Sequence, residues 1–372
     1  MPIPVHLHDF QAFSCTSCGR CCRPWAVSIQ SVQTEAIHAS TAYQKRARAG
    51  FLPLEVFQPG RARLGDRGDD HCTFLDPHNL CELHAEIGGR LKPLGCQIYP
   101  YQAVQCPDGI YVSLSFGCPP VVAGTDTAVQ DNRQQLNEAL GEAADPLIDS
   151  EEQPFLVDLS EQAAITWPSY LALEQRILEA YQPERPLHSM LAMSVAILRA
   201  QSQPGRSWPE LNGPLDEAFA REILGMYVGS MVSAIENIED EGERHALGQA
   251  ISAGQTVYSP RFAMALPSLS LEEIQEPWIQ DIYQRYFRNV VQGRALLKST
   301  VLGKLLAVAC AFVLVRYYAE AYRLARGRQE IDLDCLTDAF GIVEFIIVTH
   351  SPTTAGYFLG LEETFSKLST LL

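Results

Sequence analysis

The sequence predicts a mainly α protein in two parts: a small cysteine-rich α+β module over residues 1–120, stapled by metal, followed by an α-helical domain over residues 121–372. Three observations predict it. Nine of the eleven cysteines fall between Cys15 and Cys118. Turn-forming residues crowd the same stretch, whereas apolar residues at helical spacing dominate everything after Pro119-Pro120. Charge divides at the same place: ten Lys and Arg balance ten Asp and Glu in residues 1–118, so the net charge of −16 arises entirely in the remainder.

Within the module, Pro59-Gly60, Gly65-Asp66, Gly68-Asp69-Asp70, Asp76-Pro77 and Asp108-Gly109 mark turns. Trp25–Ile29 alternates loosely as a strand, and Ile110–Phe116 follows Pro107-Asp108-Gly109 in the manner of a hairpin. Thr34–Ala49 reads as one helix capped by Thr34. So thin a core depends on metal for its order, and thiolate zinc can contribute ~10–16 kcal/mol to the folding of small modules.

Beyond residue 120, helical spacing recurs over residues 129–143, 160–181, 186–201, 215–238, 278–297, 299–327 and 333–349. Pro-containing breaks at 183–186, 204–214 and 259–277 separate these helices. Leu333, Leu336, Phe340 and Val343 share one face. The longest apolar run of this half, Leu305–Val315, is shorter than the roughly 17 residues a membrane span needs, so a buried core helix and no membrane role are expected. The amino terminus has neither the basic nor the apolar region of a secretory signal, which places the protein in the cytoplasm. Thiols stay reduced there, so a dense cysteine module serves metal rather than disulfides. The acidic second half repels phosphate backbones, which argues against nucleic acid, and permits a basic protein partner.

The chemistry gathers in Cys15-Thr-Ser-Cys18-Gly-Arg-Cys21-Cys22. Cys-x-x-Cys turns let thiolates converge on one metal, and Gly19 allows the tight turn this requires. The spacing of Cys15, Cys18 and Cys21 is that of the first three ligands of a bacterial ferredoxin loop, but Trp25 stands where the fourth would be. A fourth ligand therefore comes from Cys22 or from Cys72, Cys81, Cys96 or Cys118. Eight thiols are enough for two four-ligand sites, or for one site with redox-active spares. Sulfur-only ligation suits zinc and iron–sulfur clusters alike; the close triple spacing favours a [4Fe–4S] cluster. Arg20, Arg23, Arg90 and Lys92 either offset the thiolate charge or are ordinary surface cations.

Other residues have milder readings. His84, three residues after Cys81, is an outside ligand candidate and more often a hydrogen-bonding neighbour. His6 and His8 read as an exposed strand or tail, and Cys310 and Cys335 as small packed hydrophobes. Tyr99 and Tyr101 pack as core aromatics or shape a pocket beside Cys96. Cys106 has no assigned role.

The Cys-x-x-Cys-x-x-Cys-Cys motif is followed by Cys72-Thr-Phe-Leu, Leu80-Cys81-Glu-Leu-His84, Lys92-Pro-Leu-Gly-Cys96-Gln-Ile-Tyr-Pro100 and a late Ser113-Leu-Ser-Phe-Gly-Cys118-Pro119. Together these resemble a cysteine-cluster family of zinc- or iron-chelating proteins, and the long form with a helical second half resembles the flagellin lysine N-methylases. The specific motifs span residues 13–120; the rest of the likeness is length and helical character. By implication Cys15, Cys18, Cys21, Cys22, Cys72, Cys81, Cys96 and Cys118 match the family's cysteines and hold metal. The resemblance implies a protein-lysine N-methyltransferase with an iron–sulfur cluster or zinc, S-adenosylmethionine, and a lysine-bearing protein substrate such as flagellin. The sequence contains no G-x-G-x-x-G after a strand, no Walker loop, no H-E-x-x-H and no G-x-S-x-G. The Cys-x-x-x-Cys-x-x-Cys loop of radical S-adenosylmethionine enzymes also stops at Trp25. No catalytic residue is assigned. The alternatives are a non-catalytic chelating protein whose helical domain binds a partner, and a thiol redox sensor, which needs depressed thiol pKa values.

Overall fold

The computed structural model describes residues 4–23, 26–69, 71–125, 145–146, 155–201, 208–268, 273–344, 362 and 365. Its first part contains strand β1 (Val5–His6), β2 (Ala26–Ser28), helix α1 (Ser31–Ala39), α2 (Thr41–Arg48), β3 (Leu54–Gln58), β4 (Arg61–Leu64), α3 (Glu82–Ile87), α4 (Leu94–Ile98), the hairpin β5 (Tyr101–Cys106) and β6 (Gly109–Leu114), α5 (Pro119–Ala123) and β7 (Asp145–Pro146).

Two small sheets organise these elements. In the first, ordered β2-β4-β3, Ala62 pairs with both Val27 and Val56, and Leu64 pairs with Leu54. Val27, Ala62, Leu54 and Leu64 turn inward and meet Ile37, Phe74, Leu75 and Leu83 in a compact core that includes Cys72. The second sheet runs β1-β6-β5-β7, with the expected hairpin β5–β6 at its centre and β1 parallel to β6. Its apolar face, Tyr101, Ala103, Ile110, Val112 and Leu114, packs into the large core of the helical half.

The single helix expected over 34–49 is two helices, and the break has a cause. Ser40 is extended (φ −67°, ψ 146°) and its Oγ accepts the Tyr43 N–H at 3.1 Å. The Glu86 carboxylate takes the N–H groups of Thr41 and Ala42 at 2.5 and 3.0 Å. These side chains satisfy the donors that a continuous helix would have bonded internally. Of the exposed strand or tail expected at His6 and His8, His6 lies on strand β1, but both rings have partners. His6 stacks on Tyr111 with centroids 4.3 Å apart, and the half-buried His8 ring bonds the Gln292 carbonyl at 3.0 Å.

The second part opens with a hairpin, β8 (Leu156–Ser160) and β9 (Ala163–Thr166), where helix was expected from residue 160. Alternation over Val157 and Leu159, both buried beside exposed neighbours, explains the strand. Then come α6 (Trp167–Ala180), α7 (Pro186–Gln201), α8 (Glu217–Ile223), α9 (Gly229–Ile235), α10 (Glu241–Ser252), β10 (Val257–Ser259), β11 (Met264–Leu266), α11 (Pro277–Gln292), α12 (Val301–Ala325) and α13 (Leu333–Val343). A π-helical turn over Leu224–Val228 joins α8 to α9. There a Cβ on Gly229 would lie 2.8 Å from the Gly248 Cα, so glycine at both positions permits this close approach to α10. The helix α10 was not legible because only Leu247 and Ile251 of its face are buried.

Helix α12 is the axis of the large core. It is long and apolar enough to cross a membrane by length and composition, yet 94% of its apolar window is buried inside the protein. Cys310 and Cys335 pack in the same core as expected. A buried carboxylate ties α9 to this axis: Glu236 accepts from Tyr318 at 3.0 Å, from Ser259 at 2.9 Å and from the Arg261 N–H at 2.8 Å. The expectations for Trp25, for a helix over 129–143 and for residues 345–349 lie outside the described residues. Helix thus dominates, with the small sheets gathered toward the amino-terminal part.

Candidate metal centre

The electrostatic neighbours of the eight motif cysteines divide into two sets of four, joined through the Cys21–Cys22 contact. Cys22, Cys72, Cys81 and Cys96 form one, close enough that the thiolate charges of the other three act on Cys96. Each arrives from a different piece of chain. Cys72 follows the β4 connection and donates its N–H to the Cys22 carbonyl at 2.7 Å, which pins the first motif to the second. Cys81 precedes α3 and pairs across a bridge with Leu75. Cys96 lies within the short helix α4. All four line the small core of Val27, Ile37 and Phe74.

Cys15, Cys18, Cys21 and Cys118 form the other group. Cys118 interacts electrostatically with Cys18 and Cys15, and Cys21 with Cys118 and Cys18. Three of these ride one loop, in which Ser17 (φ 54°) and Gly19 (φ 74°) take left-handed conformations that turn the chain between them. Cys118 comes from the large core, at the start of α5. Arg285 holds α5 in place by donating to the Val121 and Val122 carbonyls at 3.0 and 2.8 Å.

The adjacent Cys21 and Cys22 belong to different groups, their sulfurs 3.9 Å apart. Their contact splits the pair: the Cys21 thiol, hydrogen-bonded to Cys22 and buried, is pushed up, while the same bond, with Lys92 and His71 nearby, pulls Cys22 down. Burial raises Cys72 and Cys118 to about 12 each, and Cys96 is raised by burial as well. Among the described residues, no group of three or more His, Cys, Asp or Glu side chains is set, as it stands, to hold a metal ion. The donor chemistry nevertheless fits one. Each group offers four sulfurs, and a buried thiol surrendering its proton needs the positive charge that a bound cation supplies. Lys92 acts on both Cys22 and Cys96, and Arg46 on Cys72, so part of the counter-charge is built in.

Several sequence candidates sit elsewhere. His84 is exposed on α3. Cys106 is buried beside Val104 and Tyr111, and its charged neighbours are Arg294 and Asp108 rather than the motif cysteines. Tyr101 packs edge-on against Phe13 in the large core, whereas Tyr99 stands beside Cys118 and Cys21 rather than shaping a pocket at Cys96. Asp338 of α13 and Glu344 just after it border the Cys118 group without any signal in the sequence: Asp338 pairs with Arg20, and Glu344 accepts from Ser115 Oγ at 3.4 Å. They lie more than 200 residues from Cys118 in the chain, so local spacing could not have revealed them.

Residues 14–119 match a family named for its Cys-x-x-Cys-x-x-Cys-Cys motif and described as "Putative zinc- or iron-chelating domain". That region is under a third of the chain, and it contains every cysteine of both groups. No curated protein and no solved structure matches the chain, so the likeness to flagellin lysine N-methylases has no counterpart in these comparisons.

Proposed function

We propose that the protein binds metal through two four-thiolate sites, Cys15, Cys18, Cys21 and Cys118 in one and Cys22, Cys72, Cys81 and Cys96 in the other. What supports this reading is that eight cysteines from five separated stretches of chain have electrostatic neighbours that divide four and four. The match to a zinc- or iron-chelating domain over the same residues supports it.

The first site favours an iron–sulfur cluster. Three cysteines at two-residue intervals, completed by a remote Cys-Pro, form the ligand pattern of a ferredoxin [4Fe–4S] site, and Cys118-Pro119 supplies the remote member. The second site draws single cysteines from four places, a pattern that a closed structural zinc site accommodates equally well. Methyl transfer to protein lysine, with S-adenosylmethionine as donor, rests on the resemblance alone, and the proposal stops at metal binding. Oxygen-free purification followed by metal and acid-labile sulfide analysis tests it. Iron with sulfide, and a broad absorption near ~400 nm from sulfur-to-iron charge transfer, is the expected result. A colourless protein with zinc and no sulfide would replace the cluster by zinc, and protein free of stoichiometric metal would end the proposal.

A further inference from the structure

The group of Cys15, Cys18, Cys21 and Cys118 is divided between two parts of the fold, and this division requires a clamp. Cys118 is fixed in the large core at α5, whereas the other three ride a loop without regular secondary structure. The second group is already tied together by the Cys72 N–H bond to the Cys22 carbonyl and by its own small core. Arg20, between Cys18 and Cys21, reaches out of the loop to Asp338 on α13. Asp338 is also held by Arg326 at the end of α12, and its side chain is only 14% exposed. The same helix closes around Cys118: Phe340 packs against Phe116 with centroids 5.3 Å apart, and Glu344 meets Ser115. Cys118 is thus bordered by α13, and the loop is fastened to α13 by one guanidinium–carboxylate contact.

Resting on the metal-binding reading above, we infer that Arg20 and Asp338 form a latch by which the helical body holds the loop so that Cys18 and Cys21 stay partly covered, while Cys15 is already exposed. Releasing it exposes those two thiols and leaves the second site unchanged. Asp338 is a positioning residue here: it acts through Arg20 on the loop and touches no thiol. Arg326 also contacts the Asp338 carboxylate and holds it in place beside the loop.

Differential alkylation of the full-length, metal-loaded protein tests this. Iodoacetamide labelling, read by peptide mass spectrometry, reports each cysteine separately. Asp338→Asn and Arg20→Ala are each expected to raise the labelling rate of Cys18 and Cys21 by about five- to tenfold, with Cys72, Cys81 and Cys96 unchanged. The double variant should go no further than either single one, because both remove the same contact. Unchanged labelling, an equal rise in both groups, or fully additive effects would overturn the latch. If Asp338→Asn fails to fold, Arg20→Ala decides alone, since its side chain is 43% exposed and its loss removes little packing. Wild-type protein whose thiols label equally fast before and after chelator treatment would instead overturn the metal reading, a failure visible before any variant is compared.

Discussion

Individual residues here are held by burial, and two of them make the consequence measurable. Arg294 is 4% exposed, pairs with Glu174 and lies over the Tyr111 ring at 4.2 Å from its centroid. Removing one partner of such a pair strands the other charge out of water. Glu174→Ala is therefore expected to lower stability by about 3–5 kcal/mol in denaturant unfolding, and replacing both residues by apolar ones of similar size should recover most of the loss. His8 gives a pH dependence. Burial holds its pKa below the usual 6.5, with Arg294 adding to that effect against the opposing pull of the Gln292 carbonyl bond. The folded protein then binds this proton less readily than the unfolded chain, so the contribution is fully present above pH 6.5 and is lost as the pH falls from there toward the folded value. His8→Gln should flatten the acid side of the stability curve below about pH 6.5, read from urea midpoints. An unchanged slope would remove His8 as its source.

At the scale of elements, side chains end and join the regular structure where backbone partners run out. Asn289 of α11 does so for β6: it donates to the Leu114 carbonyl and accepts the Leu114 N–H, both at 2.7 Å, fully inside the core. Asn289→Leu leaves both backbone groups buried and unpaired, and a loss of about 1–3 kcal/mol is expected in the same unfolding assay. Elements with a strong repeating pattern were legible. The helix Pro186–Gln201 is bounded as its spacing indicates, and α12 lies in the core as its apolar run requires. Those decided by a single side chain were not. The break at Ser40 depends on Glu86, which is distant in sequence, and the β8–β9 hairpin is too short for its alternation to outweigh the helix that follows it.

Across the whole molecule, the cysteine motifs mark the residues of the proposed sites but not how they divide. Cys21 and Cys22 are neighbours in the chain with sulfurs 3.9 Å apart, yet Cys21 faces Cys118 and Cys18 while Cys22 faces Cys96. The partition follows from where the large core delivers Cys118, and that position is set by α5, α11 and α13 together. Spacing alone carries no such information. Leu7 and much of the β5–β6 hairpin are part of the large core, whereas the β2–β4 region has a core of its own. Of the first proposed site, Cys118 belongs to the large core, and the cysteines of the second line the smaller one.

Native mass spectrometry of oxygen-free wild-type protein beside Cys118→Ser and Cys96→Ser tests the four-and-four division most directly. Two metal centres per wild-type chain are expected, with one lost in each variant and the other kept. A single centre in the wild type, or the loss of all metal from either properly folded variant, would contradict it.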